Sequence, residues 1–221
     1  MKKIIIYIDG FNLYYRLKTT PYKWLNIQKL CKFYFNPKQH DIIKIKYFTA
    51  KVRRKSEDSS NVIRQNIYLR ALETLPNLEI IFGQFRKRQV IGLKCHYERG
   101  KYTEGNELVT VSKWEEKESD VNIATHIVAD AFKDEFDCAV LISNDTDLKT
   151  PLGYIKEHLK KSVGIISPRR NMHIELKNVS HFQKRISNKV LEQFQFPEKM
   201  KDDKGEFFCP PKWKQIRDQK T

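Results

Sequence analysis

Four aspartates stand where an α/β chain can gather negative charge. Asp9 follows the apolar run IIIYI, Asp120 heads an apolar-periodic stretch, and Asp145 and Asp147 follow the second apolar run, CAVLIS. Two carboxylates 4 Å apart repel by about 4 kcal/mol at an effective dielectric of 20, so a cluster of them requires a cation or a protonated member. Carboxylate oxygens are hard ligands and select Mg²⁺ or Mn²⁺. Such a cation can ionise water for attack on a phosphodiester and neutralise charge developing on the phosphate oxygens. Each acid also has a plainer reading. Asp9-Gly10 suits a strand-ending turn, Asp120 complements a helix dipole, and Asp145-Thr146-Asp147 suits a capping loop. Their joint occurrence favours the site.

The elements that must position these acids follow from periodicity. Residues 4–8 form a continuous β-branched and aromatic run, the pattern of a buried strand in a parallel sheet. Further strands are expected over 41–49, 78–82, 137–143 and 162–166, alternating with helices over 11–18, 27–35, 61–75, 120–133 and 151–160. That alternation predicts an α/β fold, a parallel sheet flanked by helices with right-handed crossovers. Ligands of such sheets collect outside the carboxyl ends of the strands, where Asp9 and Asp145 fall. In the 120–133 helix, Ser119 is expected as the cap and Val121, Ala124, Val128 and Ala131 as the core stripe.

Two alternating stretches around ERGKYTEG read as an inserted β-hairpin over about 84–117 within a domain of residues 1–185. Short helices are expected over 172–177 and 187–194. From Pro197 onward, charge, Pro and Gly suggest a basic flexible tail completing a C-terminal region, 186–221.

Lys and Arg number 42 against 27 Asp and Glu, a formal charge of +15 that points to a polyanion, nucleic acid first. The runs Arg53-Arg54-Lys55, Arg86-Lys87-Arg88 and Arg169-Arg170 are the expected phosphate contacts. Tyr14, Tyr15, Tyr97, Tyr102 and Trp114 are read first as packing residues and second as base-stacking ones. Four dispersed cysteines without a C-x-x-C pair argue against a disulfide framework or a thiolate zinc site. The apolar run near the start is too short for a signal or a membrane span, so a cytoplasmic protein without membrane contact is expected. A homodimer is compatible with the chain. No P-loop and no nucleophile elbow occurs.

The blocks IYIDGFNLYY, EKESDVNIA and DCAVLISNDTDLKTPL resemble the three signature blocks of the NYN domain, within the PIN-like nuclease superfamily. The resemblance runs from about Lys2 to Ser167. It implies a PIN-like fold and Mg²⁺- or Mn²⁺-dependent RNA cleavage, with Asp9, Asp120, Asp145 and Asp147 on the metal-binding acids and Asn12 on the active-site asparagine. Endonucleolytic attack is expected. This chain departs from many relatives in having His126 where they carry an acid and Asn144 where they carry glycine. His126 motivates the alternative reading, an RNA-binding adaptor or regulatory module with little catalysis. Cleavage of DNA is a third.

Overall fold

Isoleucines at positions 4, 5, 6 and 8 put apolar side chains on both faces of one strand, so that strand must lie inside a sheet covered on both sides. The computed structural model describes residues 1–52 and 60–214. In chain order it contains β1 (Lys2–Asp9), α1 (Gly10–Lys18), α2 (Ile27–Phe33), β2 (His40–Ala50), α3 (Ser60–Glu73), β3 (Leu78–Glu98), β4 (Lys101–Lys117) and α4 (Ser119–Phe132). There follow β5 (Cys138–Ile142), α5 (Lys149–Glu157), β6 (Ser162–Ser167), α6 (Ile174–Val179), β7 (Phe182–Arg185), α7 (Asn188–Gln193), β8 (Lys199–Asp202), β9 (Gly205–Phe208) and α8 (Pro211–Lys214).

The strand order of the main sheet is β4-β3-β2-β1-β5-β6-β7, parallel throughout except for β4. Leu13, Leu30 and Leu72 from the first three helices pack on Ile4, Ile6 and Ile8. Ile123, Leu152 and Leu176 from the next three pack on the opposite face, against Ile5, Tyr7 and Leu141. The connections leave β1 towards β2 on one side, while β5 takes up the other. The order therefore reverses between β1 and β5, and a crevice opens at their carboxyl ends.

The expected α/β sheet is present, and several local expectations change. The third strand does not stop at Phe82 before a separate hairpin. It runs unbroken into one long ribbon with β4, turning at Arg99-Gly100, where both residues have positive φ. The buried stripe of α4 is Ile123, Ile127 and Ala131, whereas Val121 lies exposed. The helix is oriented by Asp130, which accepts hydrogen bonds from Tyr7 (2.7 Å) and Lys46 (2.6 Å) in the interior. Ser119 does not cap the helix with its own oxygen. Its N–H and hydroxyl both donate to the Glu116 carboxylate, and Glu118 takes the cap position in a left-handed conformation.

Strand β7 has no apolar run to announce it. Phe182 seats its ring over Gly164, where any β-carbon would meet the ring at 2.1 Å. The segment after Pro197, expected as a flexible tail, folds as far as Lys214 into the β8–β9 hairpin and α8. Trp24 Nε1 donates to the Pro197 carbonyl at 2.7 Å, the Trp213 ring packs at a tilt against Trp24, and Arg70 grips Asp202 through two nitrogens. Tyr14, Tyr15, Tyr97 and Tyr102 are exposed, against the expectation of packing, while Trp114 is half-buried. Among the described residues no helix is long and apolar enough to cross a membrane.

Candidate metal centre

Each acid is delivered by the end of an element. Asp9 closes β1 and caps α1, accepting the Asn12 N–H at 2.9 Å. Gly10 must be glycine there, because a β-carbon would come within 2.5 Å of the Phe48 carbonyl. The Ser143 hydroxyl, at the end of β5, donates to Asp9 Oδ2 at 2.9 Å and accepts the Asp145 N–H at 3.1 Å. Asp145 in turn accepts the Asp147 N–H at 3.0 Å and caps a short 3₁₀ turn, Thr146–Leu148. Asp120 arrives from the first turn of α4.

Asp9, Asp120 and Asp145 each bring a carboxylate oxygen within 4.8 Å of the others. Asp9 is buried, Asp145 partly so, and Asp120 opens to solvent. Desolvation, then the charges of Asp9, Asp145, Glu116 and Asp147, push the Asp120 carboxyl up to about 6. Burial likewise raises Asp9, opposed by the hydrogen bonds from Asn12 and Ser143 and reinforced by Asp145. The four charges that act most on Asp120 are all anionic. Three clustered hard oxygen donors fit a divalent cation.

The other expected site residues divide. Asp147 is exposed, lies outside the trio and acts on it through charge. Asn12 uses its amide oxygen to hold the Asn144 N–H at 3.2 Å, tying α1 to the loop after β5. Asn144 is buried. It donates to the Asn171 carbonyl and accepts from Ser167 and the His173 N–H, so it locks that loop to the one after β6. His126 does not join the acids. Its Nδ1 lies 3.1 Å from Lys46 Nζ and its ring meets Phe48 edge-on, and burial followed by Lys46 lowers its pKa.

Arg169 and Arg170 are exposed just past the end of β6, on the sheet edge that carries Asp145. Arg86 and Arg88 share one face of the ribbon and Lys87 takes the other, where it pairs with Trp114. Arg86 also reaches Glu118 at 3.3 Å. Arg53, Arg54 and Lys55 lie outside the described residues. Sequence reasoning missed Ser143 and Glu116. Ser143 ended a strand like any small residue, and Glu116 fell in a charge-rich ribbon.

A relative from Pseudomonas putida, 6-hydroxy-3-succinoylpyridine 3-monooxygenase HspA, is 31% identical over 208 residues. The match covers 83% of this chain but 66% of that protein, so the chain spans just under two thirds of the relative's length. The crystal structure of a protein of unknown function from Vibrio parahaemolyticus has the same fold. Its TM-score is 0.56 at 14% identity, and the match covers 88% of this chain and 96% of that one. The sequence pattern of the NYN domain matches residues 3–187, a span holding all three clustered acids, their hydrogen-bond partners and all of the main sheet but Lys2. The chain therefore belongs to the NYN domain family.

Proposed function

We propose that this protein is a divalent-metal-dependent ribonuclease. The observation that carries the reading is the meeting of Asp9, Asp120 and Asp145 at the strand-order reversal, where the charges of Asp9, Asp145, Glu116 and Asp147 press on Asp120. Family membership and the +15 charge support the same substrate class. The three carboxylates would hold Mg²⁺ or Mn²⁺, and Asp147 adds charge beside them. When bound, the cation supplies Lewis acidity that ionises water and neutralises charge on the scissile phosphate.

The remaining work belongs to the chain. Ser143 and the Asn12 N–H aim Asp9 and favour its ionised form against burial, Asn12 and Asn144 fix the loop that carries Asp145, and Glu116 anchors the start of the helix bearing Asp120. Arg169, Arg170, Arg86, Lys87 and Arg88 hold phosphates flanking the cut. Direct hydrolysis by water leaves a 5′-phosphate and a 3′-hydroxyl, so the products should ligate without prior phosphorylation. Products ending in 2′,3′-cyclic phosphate would contradict this chemistry.

The name of the Pseudomonas putida relative supports a second reading, oxygenation of a hydroxypyridine. That reaction requires O₂ and a reductant. The trio holds three carboxylates and no histidine, unlike the two-histidine, one-carboxylate set of non-haem iron oxygenases. Substrate-dependent O₂ consumption with 6-hydroxy-3-succinoylpyridine would favour this second reading. A third outcome, retention of RNA without cleavage at enzyme excess, would favour the adaptor.

A further inference from the structure

Helix α4 is apolar on two sides. Ile123 and Ile127 face the sheet, while Val121 and Phe132 stand 68% and 74% exposed on a second stripe that continues through the half-buried Val128. The stripe borders a shallow hollow of about 620 Å³ lined by Ala124, Thr125, Val128, Ala129, Phe132 and Lys133. Positions 121, 125 and 132 are exposed and 124, 128 and 129 half-buried, and none of the six carries a charge. A helix that carries a second apolar stripe beside its core-facing one ordinarily buries both.

The β3–β4 ribbon has the matching problem. It leaves the sheet after Gly83, the last residue of β3 paired with β2, and continues with β4 as its one partner. At roughly 3.3 Å per residue it reaches about 45 Å. A two-stranded ribbon is marginal in water without something to pack on. Its middle, residues 89–93 and 108–112, also has no charged residue, in a chain that is 31% charged. Register puts Ile91, Leu93 and Leu108 on one face, and all three are exposed, Leu108 by 68%. Aliphatic side chains offer nothing to a phosphate backbone, so this part of the ribbon is built for protein. Its cationic residues 86–88 lie nearer the sheet.

We propose that these two surfaces cover each other between two copies of this chain, the ribbon of each copy lying across α4 of the other in a twofold dimer. One chain carries both halves of the contact, uncharged and of similar length. The ribbon's apolar block extends about 13 Å at strand rise, and the Val121 to Phe132 stripe about 17 Å at helix rise. A twofold axis then satisfies both without an open chain of contacts. The segments outside the described residues, 53–59 and 215–221, are polar and charged and hold a single aliphatic residue, Ile216. They have little to bury against either surface. The proposal is independent of the nuclease reading.

The test is sedimentation velocity on the full chain, comparing wild type with Leu108→Lys and Phe132→Glu. Both positions are exposed, and circular dichroism melting checks that the variants keep the fold. The expected result is a wild-type dimer, each single variant weakened about tenfold or more towards monomer. An equimolar mixture of the two variants should recover a dimer, because one contact then pairs Lys with Glu and the other is wild type. Amine cross-linking of isotopically mixed wild-type protein should join Lys94 of one copy to Lys133 of the other. Three results would overturn the proposal: a wild-type monomer up to about 100 µM, where a micromolar dimer would be largely formed; a dimer indifferent to both variants; or single-variant monomers that do not recover on mixing.

Discussion

The Ser143 hydroxyl donates to Asp9 at 2.9 Å while its oxygen receives the Asp145 backbone N–H at 3.1 Å, so one small side chain spaces two acids that arrive from neighbouring strands. Ser143→Ala removes the donor from a buried carboxylate. The loss of such a charge-assisted hydrogen bond is about 1.5–3 kcal/mol of stability. It also raises the Asp9 pKa further, because that contact favours the ionised form. Chemical denaturation should report the stability loss, and the acid limb of the pH–rate profile should move to higher pH.

Asp120 links metal binding to pH. Its folded-state carboxyl, pushed up to about 6, disfavours the ionised form. The resulting destabilisation is absent below the ordinary carboxylate range, grows as pH rises through it, and is complete above about 6. Metal-free protein should therefore gain melting temperature from this group when pH falls from 7.5 to 5. Mn²⁺ should raise the melting temperature more at pH 7.5 than at pH 5, where Asp120 is largely protonated. Asp120→Asn should raise the EDTA-treated melting temperature at pH 7.5 and shrink the Mn²⁺ increment. Thermal scans with Mn²⁺ and with EDTA at the two pH values check both.

Lys46 and Asp130 form a buried ion pair at 2.6 Å, joined by the Tyr7 hydroxyl. Removing one partner strands a buried charge. Asp130→Ala should therefore lose about 3–5 kcal/mol, whereas Lys46→Met combined with Asp130→Leu should lose far less. His126 belongs to this network, so His126→Ala should leave the metal-induced melting shift within error of wild type.

Arg169→Ala with Arg170→Ala should weaken RNA binding similarly across sequences. The slope of log affinity against log salt should fall by about one for each phosphate contact removed. Fluorescence anisotropy at several salt concentrations measures both. An unchanged slope would take these arginines out of the interface.

The central strands were legible because nothing else explains unbroken β-branched runs, and Asp9 and Asp145 follow directly at their carboxyl ends. Asp120 was legible as a helix start. What the pattern hid was competition between equally good choices. Helix α4 offers two apolar stripes, and periodicity alone selected Val121 and Val128 over Ile123 and Ile127. The deciding contact is Asp130 with Tyr7 and Lys46, a long-range polar link. The C-terminal hairpin was masked by its own charge, since Asp202 draws its stability from Arg70, far away in sequence. Strand β7 is short and mostly polar, paired along β6 with the Phe182 ring over Gly164. Asp147 shares its motif with Asp145, but the turn capped by Asp145 points it to solvent.

The most direct measurement is cleavage of an end-labelled single-stranded RNA with Mn²⁺, Mg²⁺ or EDTA, by wild type and by Asp145→Asn at matched folded concentration. The account predicts products with either metal, none with EDTA, and a loss of at least a hundredfold in the variant while RNA binding is retained. Cleavage that survives EDTA or the substitution, or no cleavage by wild type at enzyme excess, would contradict it.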